Sequence, residues 1–352
     1  MHLSFRKSVT DRLLTKIRSG EMMSRNEKFN LIIQLSIPSI LAQVTTVLMF
    51  YIDAGMVGSL GAEPSAAIGL VEPATWLIFS LVSAVTMGFS VQVAHFIGAN
   101  DFPKARAVMR HGYVFGLCFS LLMLLIAFLI GPRLPIWLGG GTDIQHDAMV
   151  YFLIFSGITP FHLIEYMSGA MLKVAGDMRR PSMMAILMCV LDVIFNYFLI
   201  FPTRTISLFG IELTMPGFGA GVAGAALGSL LAFVCVALPL AYYAIFRSPI
   251  LAWKQDTERF SWRWQYIWNA LKISAPMGLQ YLLMNGAQLV STMIVAPLGN
   301  IAIAAHSFAI TAESLCYMPG YGISEAATTL VGQSVGADRR DLHRSFAWMT
   351  VF

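Results

Sequence analysis

The chain has 352 residues, of which 57% are hydrophobic and only 12% are charged. Its mean hydropathy is +0.69, and together these values exclude a soluble globular domain and indicate an integral membrane protein. The net charge of +4 is small, and the placement of the basic residues along the chain explains it without a nucleic-acid partner.

Apolar windows of about 20 residues, long enough to cross roughly 30 Å of hydrocarbon as a helix, recur along the chain. In chain order they predict membrane spans over residues 31–57, 65–97, 112–130, 148–172, 183–201, 218–246, 273–297 and 301–335. A ninth span opens at Ser345 and is interrupted at Phe352. The four cysteines each lie alone in a different span, so we predict neither a disulfide framework nor a metal site.

The lysine and arginine residues distinguish the two sides of the membrane. Of the 23 such residues, all except Arg133 and Arg204 lie in the amino-terminal tail or in the loops after spans two, four, six and eight. Because basic loops stay in the cytoplasm, we expect a multi-pass protein of the plasma (inner) membrane with a cytoplasmic amino terminus. The tail lacks the apolar core and cleavage site of a signal peptide, so the first span is expected to direct insertion.

The chain contains an internal repeat. When the sequence is shifted by 238 positions, from Ser36 to Ser274, the first and seventh spans coincide without a gap, together with the segments that follow them. The matched pairs include Pro38 with Pro276, Gly61 with Gly299, Ala66 with Ala304 and Gly98 with Gly336. Apolar composition alone would not place proline at a helix start and glycines at both helix ends. A unit that begins again in the same orientation predicts two parallel lobes with a substrate cleft between them.

The predicted fold class is therefore all-α, a polytopic membrane helix bundle with two parallel six-helix lobes, of which the second is incomplete. We assign residues 1–30 to a cytoplasmic tail and residues 31–246 to the first lobe. Residues 247–272 are a cytoplasmic linker, and residues 273–352 begin the second lobe with helices seven, eight and part of nine.

Several stretches of the sequence resemble the multidrug and toxic compound extrusion (MATE) family. They are "IDAGMVGSLG" in the first span, "KVAGDMRRP" after the fourth, "LDVIFNYFLIF" in the fifth and "MPGYGISEAATTLVGQSVGA" in the eighth. The resemblance implies twelve helices in two lobes and a secondary transporter that exports organic cations and other compounds in exchange for protons or sodium ions. The family pattern continues past helix nine, so we expect this chain to be truncated. Some members carry an acidic residue midway along helix seven, where this chain has Met284.

Asp53 lies in the first span with no lysine or arginine beside it. An ionised carboxylate in hydrocarbon costs at least ~2.5 kcal/mol on insertion scales, so it should be protonated, hydrated or neutralised by a mobile cation. The alternative is an aspartate at headgroup level, since an uncharged run of about 30 residues would be ~45 Å long as a helix. By the resemblance, Asp53 is the aspartate of the first-lobe ion site.

Asp192 and Asn196 are spaced i, i+4, which places a carboxylate and an amide on one helix face, one turn apart. The pair could bind a hard cation through oxygen atoms or share a proton with Asp53. The alternative is a hydrogen-bonded pair that only holds the bundle together. The resemblance implies that these positions join Asp53 in an ion site, and that Ser229 faces the same cluster, although simple packing is an equal alternative for the serine.

Other polar residues of the spans are candidates for a substrate cleft. They are Glu165, His306, Glu313 and Glu325. Every lysine and arginine is assigned to a loop or tail, so we expect these acids to have no basic partner. Each has a structural alternative. For Glu165 it is a hydrogen bond within helix four that involves His162, and for His306 it is packing. For Glu313 and Glu325 it is solvation or packing. Glu72 is expected to face water near an outer helix end.

The predicted function is that of an efflux antiporter that works by alternating access between two lobes. The chain is not predicted to be an enzyme. Its substrate would be a small, cationic and amphipathic molecule, and H⁺ or Na⁺ would be the transported coupling ion, with no resident cofactor. One alternative is a lipid-linked precursor flippase of the same architecture, although arginines would then be expected in the cavity. A second alternative is a fragment that is inactive without helices nine to twelve. A membrane-embedded enzyme ranks last because the acids are scattered one per helix. The oligomeric state is left open.

Overall fold

The structure is a computed structural model that describes residues 9–208, 211–255 and 260–351. Within these residues the chain is almost entirely helical, with one pair of antiparallel strands. The helices are α1 (Val9–Ser19), α2 (Arg25–Gly58), α3 (Ala62–Gly98), α4 (Phe102–Ile130), α5 (Leu134–Trp137), α6 (Gln145–Ser156), α7 (Thr159–Val174), α8 (Arg179–Ile200), α9 (Gly221–Tyr242), α10 (Trp264–Val295), α11 (Asn300–Gly336) and α12 (Arg340–Val351). The strands are β1 (Pro202–Leu208) and β2 (Ile211–Phe218).

The predicted membrane bundle is confirmed. In the described part of the chain, seven helices are long and apolar enough to cross a membrane: α2, α3, α4, α8, α9, α10 and α11. Helices α6 and α7, bent by 42° at the break between them, are together long and apolar enough to count as one further span. The eight complete spans that the sequence predicts are thus all present as helices.

Pro160 accounts for the bend between α6 and α7. Proline has no N–H to donate, and its ring collides with the carbonyl group four residues earlier, which belongs to Ser156, the last residue of α6. The predicted span over residues 148–172 is therefore two helices, separated by Gly157 and Ile158. By contrast, the helices α2, α9, α10 and α11 continue through Pro38, Pro239, Pro276 and Pro319. The Met-Pro-Gly sequence at Pro319 does not interrupt α11.

The first span begins earlier than its apolar window. Ser24 and Glu27 form a capping box in which the Glu27 amide donates to Ser24 Oγ (3.2 Å) and the Ser24 amide donates to Glu27 Oε2 (2.9 Å). Because these contacts satisfy two free amides at a helix start, α2 begins at Arg25 and not at residue 31. Lys16 of α1 adds an ion pair to Glu27 Oε1 at 2.6 Å.

Two segments differ from the sequence prediction. Residues 9–19, predicted only as part of a polar tail, form the amphipathic helix α1, which buries Leu13, Leu14 and Ile17. Residues 202–217 are predicted as a loop, but Pro202–Leu208 and Ile211–Phe218 form β1 and β2, so that the sixth span begins at Gly221 and not at Phe218. Threonine and isoleucine in β1 favour extended backbone.

Helices α3 and α11 pack side by side, and their contacts follow the 238-residue repeat. A Cβ atom added at Gly98 would overlap the carbonyl oxygen of Gln333, and one added at Gly336 would overlap that of His95. The repeat matches Gly98 with Gly336 and His95 with Gln333. The contact between Gly98 and Gln333 is therefore repeated, with the two helices exchanged, by the contact between Gly336 and His95. Gly69 lies against its own counterpart, Ser307, because a Cβ atom added at Gly69 would be only 2.9 Å from Ser307 Cβ. The two helices are therefore related by an approximate two-fold axis.

Candidate functional site

Three polar side chains meet between α2 and α8. Asn196 Nδ2 donates hydrogen bonds to Asp53 Oδ1 and to Asp192 Oδ2, each at 3.0 Å. The two carboxyl groups also lie within hydrogen-bonding reach of each other. We call Asp53, Asp192 and Asn196 the acid–amide cluster. It joins three of the four residues that the sequence proposed as a coupling site.

The helices explain why the acid–amide cluster forms. Asp192 and Asn196 lie one turn apart on α8 and are 2% and 1% exposed. Gly228 of α9 lies directly behind the amide, because a Cβ atom at this position would overlap Asn196 Oδ1. Ser229, the next residue, places its hydroxyl beside the Asp192 carboxyl group. This contact between Gly228 and the amide was not predicted from the sequence.

Among the residues that the structure describes, the acid–amide cluster has one unpaired oxygen atom and no lysine or arginine partner. In the described part of the chain, no lysine or arginine forms an ion pair with Asp53 or Asp192. Asn196 Oδ1 is buried without a hydrogen-bond partner. An ionised carboxylate in such a place needs a proton or a mobile cation to neutralise it. The described residues contain no group of three or more histidine, cysteine, aspartate or glutamate side chains that could hold a metal ion.

Two adjoining cavities connect the acid–amide cluster with the space between the lobes. The smaller has a volume of about 310 Å³ and is lined by the cluster and Ser229. The larger has a volume of about 830 Å³ and is lined by residues of α3, α7, α10 and α11. Glu165, Glu313 and Glu325 line the larger cavity, as does Met284. Aromatic side chains on the same wall include Trp76, Tyr166, Tyr281, Tyr317 and Tyr321.

The prediction that the acids of the spans lack basic partners is wrong for Glu325. Lys173 Nζ lies 2.6 Å from Glu325 Oε1. Lys173 is in the last turn of α7 and lines both cavities. Sequence reasoning assigned this lysine to a loop because the predicted span ended one residue earlier.

Glu72 is also not at a water-facing helix end. Its Oε2 accepts a hydrogen bond from Ser307 Oγ of α11 at 2.9 Å, and its Oε1 accepts one from Trp76 Nε1 at 3.3 Å. Glu72 lines both cavities. It therefore connects the two lobes in the amino-terminal half of α3, which no sequence signal indicated.

The two histidines of interest have separate environments. His162 Nε2 lies 3.2 Å from Ser83 Oγ, and its ring stacks on Phe79 with centroids 4.5 Å apart. This hydrogen bond goes to α3 and not to Glu165, so the two residues do not form the hydrogen bond within helix four that the sequence allowed. His306 is not among the described residues that line either cavity, and its Nε2 is buried without a hydrogen-bond partner.

Comparison with protein families gives a match to the family described as MatE over residues 38–198 and 276–352. A probable multidrug resistance protein NorM of Thermotoga maritima is 26% identical over 311 residues, which are 88% of this chain and 64% of the relative. The corresponding protein of Neisseria meningitidis serogroup A is 24% identical over 322 residues, 91% of this chain and 67% of the relative. The chain thus spans about two thirds of the length of these curated relatives.

Solved structures support the same fold. The outward-facing conformation of a multidrug resistance MATE family transporter of the MOP superfamily aligns with a TM-score of 0.79 and 22% identity, covering 96% of this chain and 70% of that one. A crystal structure of MATE in complex with MaL6 aligns with a TM-score of 0.79 and 21% identity, with the same coverage.

Proposed function

Because this chain belongs to the MatE family, whose members are transporters and not enzymes, we propose that it acts as a secondary efflux transporter. The proposed substrates are organic cations, drugs or metabolites, exported in exchange for protons or sodium ions. Support comes from the relatives that are described as multidrug resistance proteins.

The observation that carries the proposal is the acid–amide cluster. The buried carboxyl group of Asp192 and the partly buried carboxyl group of Asp53 share one amide, and neither has a described basic partner. Such a pair binds one proton or one hard cation strongly and a second weakly, because two neighbouring negative charges disfavour full ionisation. Reversible loading by one monovalent ion is what an exchanger requires.

The larger cavity is the proposed substrate chamber. Its wall combines the acids Glu165 and Glu313 with several tyrosines and methionines. Aromatic faces and carboxylates both attract cations, and methionine side chains adapt to differently shaped apolar groups. A small amphipathic cation fits this chemistry. Alternating exposure of the chamber would involve movement of the two lobes about the α3–α11 contact.

The test is gradient-driven efflux of a fluorescent cationic dye in everted vesicles. We expect efflux under an imposed pH gradient or sodium gradient, and the gradient that drives it identifies the ion. Asp53→Asn keeps the size of the side chain but removes its charge, so efflux should fall to the level of vesicles without the protein. Glu63→Gln alters an exposed acid at the start of α3 and should leave efflux unchanged.

Normal efflux by Asp53→Asn would contradict the assignment of the coupling site. Absence of gradient-dependent efflux by the unmodified protein, measured in its full natural length, would contradict the proposed function itself.

A further inference from the structure

The end of α7 is attached to α11 by three contacts. Lys173 Nζ forms an ion pair with Glu325 Oε1 at 2.6 Å. Thr329 Oγ1 donates to the Lys173 carbonyl oxygen at 3.1 Å, and Gln333 Nε2 donates to the Val174 carbonyl oxygen at 2.7 Å. We call these contacts the α7–α11 clasp. They join the first lobe to the second at the end of the bundle where α1 lies.

The ion pair of the clasp is unusual in its position. Lys173 and Glu325 side chains are only 20% and 21% exposed, and both residues line both cavities. Among the described residues that line the cavities, Lys173 is the one lysine or arginine. The chamber proposed for organic cations therefore already contains a cation, which belongs to the protein.

The charges around Lys173 do not balance. Glu165, two turns earlier on α7, is close enough to Lys173 and Glu325 for electrostatic interaction with both. One ammonium group thus interacts with two carboxyl groups. In addition, Glu325 Oε2 is buried and has no hydrogen-bond partner. An incoming cation would find an unoccupied oxygen atom on the same carboxylate that holds Lys173.

We propose that Lys173 is a tethered competitor of the transported cation. This inference rests on the proposed function. When the chamber is empty, Lys173 occupies Glu325 and holds α7 against α11. An organic cation that binds Glu325 displaces the ammonium group, so that only the two hydrogen bonds to carbonyl oxygens remain and this end of the chamber opens. Lys173 is a positioning residue in this scheme, and Glu325 is a binding residue.

The clasp can be weakened at the ion pair alone. Thr329 and Gln333 bond to the carbonyl groups of residues 173 and 174, not to their side chains. Lys173→Met keeps the length of the stem and these two hydrogen bonds but removes the charge. Glu325→Gln breaks the same pair from the other side. The double variant Lys173→Glu with Glu325→Lys reverses the pair and should restore it.

The first experiment measures access to the chamber by the rate of cysteine labelling. The four native cysteines are replaced by alanine, and Gln43→Cys on α2 places a thiol in the wall of both cavities. A membrane-impermeant maleimide is then applied to everted and to right-side-out vesicles. We expect Lys173→Met and Glu325→Gln each to increase labelling roughly tenfold, a typical conformational coupling, and only from the face where the amino terminus lies.

Matched controls separate the clasp from general loosening. Arg180→Met breaks an ion pair between the first turn of α8 and Asp177 in the turn after α7, and it should not change labelling. The reversed pair should return labelling to the unmodified rate. Unchanged labelling in Lys173→Met and Glu325→Gln, or a reversed pair that labels as fast as the single variants, would overturn the proposal.

The second experiment tests displacement by a cation. Tetraphenylphosphonium, a lipophilic organic cation, should accelerate labelling of the protein with Lys173 and Glu325 intact, and should have little further effect on Lys173→Met. Equal acceleration in both would overturn the competition. Labelling needs no ion gradient, so the two proposals can fail separately. If the cation accelerates labelling but no gradient drives efflux, the exchange mechanism is rejected and the role of the clasp is kept.

Discussion

At the scale of single residues, the acid–amide cluster depends on Gly228, which has no side chain and so leaves room for the amide of Asn196. The i, i+4 spacing on α8 predicted that Asp192 and Asn196 would share a face, and the family motif added Asp53. The sequence could not show that Gly228 makes room for the amide, because this requires the position of α9 relative to α8. The Lys173–Glu325 pair was missed for a similar reason: a lysine one residue past a predicted span can extend back into the bundle.

We therefore predict a specific effect of Gly228→Ala. The new Cβ atom would overlap Asn196 Oδ1, and overpacking of this kind costs ~1–3 kcal/mol. The amide should move away from one of its two carboxyl groups, which weakens ion binding and slows efflux. Gly286→Ala is the matched control, because nothing lies within 4 Å of its added Cβ atom. Efflux rate and thermal unfolding of the two variants check the prediction, and equal behaviour would contradict it.

At the scale of helices and strands, local signals predicted the spans well and their ends poorly. Long apolar windows identified every complete span, since a helix is the only simple structure that satisfies its own backbone in lipid. The amphipathic helix α1 was missed because it has only 11 residues, too few for a stable isolated helix, and it is stabilised by tertiary contacts. Leu14, for example, packs against Gly176 in the turn after α7.

This packing predicts the behaviour of α1 under proteolysis. Leu14 is 2% exposed, so Leu14→Asp would bury an unpaired charge and should release α1 from the bundle. Trypsin should then cut after Arg12, Lys16 or Arg18 much faster than in the unmodified protein. Thr15→Asp, on the exposed face of α1, should leave cleavage slow. Similar rates for the two variants would show that α1 is not held by its apolar face.

At the scale of the whole molecule, the repeat predicted two parallel lobes, and the paired contacts of α3 and α11 agree with that arrangement. The 238-residue shift could be read from proline and glycine positions alone. The sequence does not show which helices touch across the axis, because a repeat defines a symmetry but not the distance between its copies.

The symmetry leads to a prediction about paired substitutions. Gly98→Ala and Gly336→Ala would each place a Cβ atom on a backbone carbonyl group of the facing helix. Each should destabilise the fold by ~1–3 kcal/mol. Because both separate the same two helices, the double variant should cost less than the sum of the single effects. Thermal unfolding in detergent measures all three, and strict additivity would indicate that the two contacts are independent.

The reciprocal contact between α3 and α11 has the geometry of an isologous dimer interface whose two subunits are part of one chain. In a homodimer, one substitution changes both sides of such an interface at once. Here the two sides are encoded separately, so a substitution changes one side alone. Each lobe can therefore diverge only by substitutions that still pack against the facing helix of the other lobe. Residue pairs that touch across this contact, Gly98 with Gln333 and Gly336 with His95, are therefore the positions at which compensating changes between the lobes should be sought.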